Sequence, residues 1–62
     1  MKPVEIGYTN YRGVYSVRRI IPLRLEYRES IFHGPGKHHI MVSFDCDKQD
    51  VRDFLVKDIG FQ

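Results

Sequence analysis

A chain of 62 residues with 42% hydrophobic side chains carries enough apolar content to fold as one domain, residues 1–62. At this size it buries only about 60% of the surface its unfolded form exposes. Its formal charge of +2 and single cysteine, Cys46, exclude a strongly polyanion-seeking chain and an internal disulfide, and a lone thiol suits a reducing, cytoplasmic setting.

The opening Met1-Lys2-Pro3-Val4-Glu5 lacks the apolar run of a secretory leader, and no stretch is long and apolar enough for a membrane-spanning helix. Val4, Ile6 and Tyr8 alternate with Glu5, Gly7 and Thr9, the period of a half-buried strand. Asn10-Tyr11-Arg12-Gly13 supplies turn chemistry, because Asn tolerates and Gly freely adopts left-handed backbone. Val14 to Ile21 is rich in β-branched and aromatic residues and reads as the return strand of a hairpin. Pro22 has no N–H to give a ladder, so it marks an edge, a bulge or the end of that strand. Leu23, Leu25 and Tyr27 alternate with Arg24, Glu26 and Arg28, which predicts a third strand with its charged face in water. Ser30 to Lys37 is a loop broken by Gly34-Pro35-Gly36, and His39 to Phe44 is a fourth strand with Ile40, Val42 and Phe44 facing inward. The last segment has two readings. Val51, Phe54, Leu55 and Ile59 fall on one helical face, with Asp47 as its cap, yet Phe54-Leu55-Val56 is also a short strand core. Gly60-Phe61-Gln62 reads as a tail.

The charge is uneven. Residues 1–37 hold seven Lys/Arg against three Asp/Glu, whereas residues 38–62 hold three against five. Such asymmetry signals either a basic face for an anionic partner or two halves that complement each other within the fold, and the near-neutral total favours the second.

Few residues suggest bond-making chemistry. His38 and His39 are adjacent, so on a strand they point to opposite faces, and neither they, His33 nor Cys46 has zinc-ligand spacing. Asp45 to Asp50 lacks the glycine and the terminal glutamate of a calcium loop, and reads as a solvated acidic turn. Lys37 follows Gly36 but precedes His38 rather than Ser or Thr, so Gly34-Pro35-Gly36-Lys37 is not a phosphate loop. No serine lies in a nucleophile elbow. The expectation is a protein that is not an enzyme and uses no metal. What remains is an interleaving of Tyr8, Tyr11, Tyr15, Tyr27 and Phe32 with Arg12, Arg18, Arg19, Arg24 and Arg28. Aromatic faces stack bases and guanidinium forks grip phosphates; the same residues equally serve a tiny β-domain as core area and solubilising charge.

Taken together, these residues resemble the WYL domain family. The resemblance rests on the strand-turn Ile6 to Gly13, an Arg-x-Ile/Val-x-Pro strand at Arg18-Arg19-Ile20-Ile21-Pro22, and an Arg-x-Phe strand ending near Ile at Arg52-Asp53-Phe54 through Asp58-Ile59, covering roughly residues 4–59. At the tripeptide that names the family, Trp-Tyr-Leu, this chain has His39-Ile40-Met41. The resemblance implies an all-β fold, a small five-stranded SH3-like or Sm-like barrel with a helical turn before the last strand. Residues 52–57 would then be the closing strand and Asp47 to Asp50 the turn before it. A four-stranded antiparallel sheet with a C-terminal helix is the alternative. It also implies a non-enzymatic ligand-sensing or nucleic-acid-contacting regulatory module without a cofactor. Arg18 and Arg52 match the family's basic positions, His39 stands at its tryptophan, and Tyr11 and Arg12 lie in the opening turn. These five are the candidate site for a nucleotide or single-stranded nucleic acid. The alternative is a protein-interaction or self-assembly module, contacting a protein partner or a second copy through Phe32 to Ile40 or the strand ending at Pro22.

Overall fold

The computed structural model describes residues 2–30 and 34–61, with the backbone alone for Phe61. Phe32 and His33, named above among the aromatics and histidines, lie outside the described residues. Five strands follow one another: β1 (Val4–Thr9), β2 (Tyr15–Glu29), β3 (Lys37–Asp45), β4 (Asp50–Leu55) and β5 (Ile59–Phe61), with a single 3-10 turn, Val56–Asp58, before the last. All join one antiparallel sheet in the order β4-β3-β2-β1-β5. The fold is thus the expected all-β, five-stranded one with a helical turn before its closing strand. The sheet is open, since no ladder joins β4 to β5 among the described residues.

The elements sit differently from their sequence assignments. The proline does not end β2. A bulge between Pro22 and Arg24 takes up the irregularity, so the expected second and third strands are one bent strand of 15 residues. The count of five is restored at the other end. Residues 50–55 form a hairpin with β3, the helical turn follows rather than precedes them, and the closing strand is Ile59–Phe61, taking in Gly60 and Phe61 of the stretch that reads as a tail. Neither the helix nor the Asp47–Asp50 helical turn forms; Asp47 to Gln49 belong to the β3–β4 turn and Asp50 opens β4.

Burial also changes sides at the bulge. Before it, Ile20 is buried opposite the buried Asp45. Beyond it, Ile40 and Val42 are buried, whereas Leu23, Leu25 and Tyr27 are 50%, 67% and 60% exposed. The bulge sets Leu25 and Tyr27, opposite Met41 and His39, on the face that carries Ile20 and Asp45. Beyond it burial lies on the other face of β3, at Ile40 and Val42, so the face expected inside points to water and Glu26 and Arg28 are half-covered. The core is Ile6, Tyr8, Ile20, Ile40, Val42, Phe54 and Leu55, with Met41 and Ile59 packed against it. Tyr8 on β1 reaches β4: its ring meets Phe54 edge-on at 4.9 Å, and its hydroxyl accepts the Leu55 N–H at 2.9 Å. This contact between strands three places apart in the sheet records how far the sheet curls.

The β1–β2 and β3–β4 turns are each built by an Asx side chain. Asn10 Oδ1 accepts the N–H groups of Arg12 and Val14 at 2.9 and 3.0 Å, with Gly13 at φ +80°. Asp45 Oδ1 accepts those of Asp47 and Lys48 at 3.0 and 3.2 Å. Gly7, within β1, is covered by the Tyr15 ring, whose hydroxyl occupies the place of a Cβ.

Candidate functional site

Residues opposite one another in a ladder share a face, and this places the arginines. Arg18 pairs with Ile6, and Ile20, two residues on, pairs with Asp45. Ser43, two residues before Asp45 on β3, pairs with Arg52. Arg18, Asp45 and Arg52 therefore lie on one face, and the curl that brings Tyr8 to Phe54 closes it into a groove of about 440 Å³. Its walls include Tyr8, Tyr11, Arg18, Arg52, Asp53 and Phe54. That volume lies in the range of small-ligand clefts.

The two arginines differ sharply. Arg18 is 21% exposed and fixed on two sides: Nε donates to Ser16 Oγ and Nη1 to Asp45 Oδ2, both at 2.8 Å. Asp45 is fully buried, and its other oxygen holds the β3–β4 turn. The carboxylate that read as part of a solvated acidic turn is the internal counter-ion of the arginine that sequence reasoning singled out. Arg52 is 51% exposed, and its nearest carboxylate is Asp50 at 3.8 Å. Asp53, the acid in the wall, is engaged at 2.6 Å by Arg28. With Arg18 balanced by Asp45 and Asp53 by Arg28, the positive charge left at the groove is chiefly that of Arg52. Tyr11, 59% exposed, accepts from Arg12 Nε at 3.2 Å, and the Arg12 guanidinium lies 5.5 Å from its ring centroid.

Of the five candidate residues, Arg18, Arg52 and Tyr11 line this groove and Arg12 stacks at its rim. His39 does not join them. It packs against Tyr27, ring centroids 4.7 Å apart, in a separate groove of about 400 Å³ with Lys37, His38 and Lys57. Asn10, Tyr8 and Asp45 were missed as site residues. Asp45 is 27 positions from Arg18, a separation with no local signature.

Cross-half pairing is extensive. Arg18–Asp45, Arg19–Asp47 and Arg28–Asp53 each join the basic first part of the chain to the acidic second. On β2, Glu26 receives Arg28 Nε and Arg24 Nε at 2.6 Å each. Those bonds, Arg28's first, hold its carboxyl below the usual glutamate range, while Asp53 and then Glu26 hold Arg28 above the usual arginine range. Burial raises the Tyr8 phenol above its ordinary value, against the Leu55 hydrogen bond.

Among the described residues, no three His, Cys, Asp or Glu side chains gather to hold a metal ion, and no helix is long and apolar enough to cross a membrane. Comparison of the chain with family models, curated proteins and solved structures finds no match.

Proposed function

We propose that this chain is a non-enzymatic, cytoplasmic accessory module of WYL-like type that binds a nucleotide or a single-stranded nucleic acid in the groove between the β1–β2 turn and β4. The observation that carries the reading is the convergence of Arg18, Arg52 and Tyr11, far apart in sequence, on one groove whose acidic wall residue is already neutralised. Each group has a role in it. Arg52, loosely held, grips a phosphate; Arg12, stacked on Tyr11, adds a second cation at the rim. Tyr11 offers a face for a base. Arg18, locked by Asp45 and Ser16, is a donor whose ordering cost is met before the ligand arrives. His39, on a different groove, takes no part.

The test is fluorescence anisotropy of a labelled short single strand against wild type and Arg52→Ala. Arg52 is exposed, so its loss leaves the fold intact. Binding is expected to weaken several-fold in the variant. Affinity is also expected to fall with salt at a log–log slope of roughly −0.7 for each phosphate neutralised, and the slope becomes shallower in Arg52→Ala. Equal, salt-independent binding by both proteins refutes the proposal. The second reading, a protein-interaction or self-assembly module without a nucleic-acid ligand, draws on the exposed Leu23, Leu25 and Tyr27.

A further inference from the structure

The second half of β2 has an open edge. β1 accompanies β2 only as far as the pair Val4–Ile20, while Ile20 to Glu29 are laddered on their other side to β3. Lys2 and Pro3, which would extend β1 along this edge, are not in a strand. Among the described residues, no strand pairs with that side of residues 21–29. The strand alternates Leu23, Leu25 and Tyr27, all half or more exposed, with Arg24, Glu26 and Arg28. An unpaired edge bearing large apolar side chains is a template for another strand.

The residues on this edge are complementary to themselves in one antiparallel register. With a two-fold axis at Leu25, Arg24 of each copy lies opposite Glu26 of the other. Leu25 then meets Leu25, and Leu23 meets Tyr27, twice over. Moving the axis one residue in either direction destroys the match. Centred at Arg24, it sets Arg24 against Arg24; centred at Glu26, it sets Glu26 against Glu26 and Arg24 against Arg28. Centred at Tyr27, it pairs Glu26 with Arg28 but sets each Leu25 against Glu29. Like charges directly opposite are destabilising, and opposite charges and apolar pairs are favourable. The Leu25 register alone matches every position from Leu23 to Tyr27 on both faces; at its ends Pro22 lies opposite Arg28 and Ile21 opposite Glu29.

We propose that the Leu23–Glu29 edge pairs with the same edge of a second copy, giving a two-fold symmetric dimer that joins the two sheets through β2 with Leu25 at the axis. The interface is separate from the Arg18–Arg52 groove and does not depend on what that groove binds. In the dimer, the Arg24–Glu26 contact of each chain becomes half of a four-member ion cluster, and Leu25 and Tyr27 leave water.

Sedimentation equilibrium across a wide concentration range tests it with a charge-reversal cycle. Wild type is expected to shift from monomer to dimer as concentration rises. Arg24→Glu and Glu26→Arg each place like charges opposite at two symmetric positions and weaken dimerisation roughly tenfold. The double variant, Arg24→Glu with Glu26→Arg, restores opposite pairs and recovers dimerisation to within a few-fold of wild type. Leu25→Lys, at the most exposed of the three apolar positions, keeps the fold and abolishes the dimer, which guards against a single reversal that merely unfolds. A wild type that stays monomeric to about 1 mM, a dimer indifferent to Leu25→Lys, or a double variant as weak as the singles overturns the proposal.

Discussion

Arg18→Ala is expected to be a stability variant before it is a binding variant. Asp45 is fully buried, and one oxygen is bonded to Arg18 Nη1 at 2.8 Å while the other holds two turn amides. Removing the guanidinium leaves a buried carboxylate without its counter-ion. Breaking a buried pair in this one-sided way costs about 3–5 kcal/mol. Arg18 is 21% exposed, so water reaching the vacated space places the loss near the lower end, about 3 kcal/mol. A domain of 62 residues has a total stability of roughly 3–9 kcal/mol, so the variant loses a third or more of it. Arg18→Ala combined with Asp45→Asn separates charge from packing: Asn keeps an oxygen for the Asp47 and Lys48 amides but carries no charge. The double variant should recover about 1–2 kcal/mol relative to Arg18→Ala. Urea denaturation followed by circular dichroism measures both, with constant slope as the check that the unfolded state is unchanged. Arg18→Ala within about 0.5 kcal/mol of wild type, or a double variant less stable than the single, would refute the reasoning.

Tyr8→Phe keeps the edge-on contact with Phe54 but orphans the buried Leu55 N–H. It should cost about 1–3 kcal/mol, a fall in Tm of about 4–8 °C for each kcal/mol, and an unchanged Tm in a thermal melt would argue against the hydrogen bond. Because the folded Tyr8 pKa is raised, its contribution is complete below the unfolded value near 10. It declines as pH climbs past that value, a loss that denaturation at alkaline pH should find in wild type and not in Tyr8→Phe. Glu26 has the opposite sign. Its folded pKa is depressed by Arg28 and Arg24, so its stabilisation is present above the ordinary glutamate value and fades as pH falls through the folded one. Stability measured from neutral to acid pH should therefore fall less steeply for Glu26→Gln than for wild type, and parallel curves would contradict the ladder.

The parts of the fold that were legible in the sequence are those whose structure is decided locally. β1 follows from the alternation of Val4, Ile6 and Tyr8, and the first hairpin from the Asn10 side chain and the left-handed backbone of Gly13 that build its turn. The middle of β3, with Ile40 and Val42 buried, is as plain. β2 was split because Pro22 has two structural uses, terminating a strand or sitting at a bulge, and only the neighbouring strand decides between them. Leu23, Leu25 and Tyr27 are exposed because burial passes from one face of β3 to the other, from Asp45 and Ser43 to Val42 and Ile40, a change that alternation within β2 does not carry. At the C-terminus, Phe54 and Leu55 are both buried where the sheet curls around its core, so neither the helical nor the strand period describes them. For the site, the resemblance to the WYL pattern pointed to Arg18 and Arg52. Their convergence, the buried Asp45 and the separation of His39 depend on register between strands, which no local pattern carries.

The most direct measurement of the central claim is a backbone amide NMR titration of the wild-type protein with short single-stranded oligonucleotides and free nucleotides, at low and moderate salt. The account predicts salt-sensitive shifts clustered on Tyr11, Arg12, Arg18 and the β4 residues around Arg52, with His39 and Tyr27 little affected. A folded, dispersed spectrum indifferent to every such ligand would contradict it.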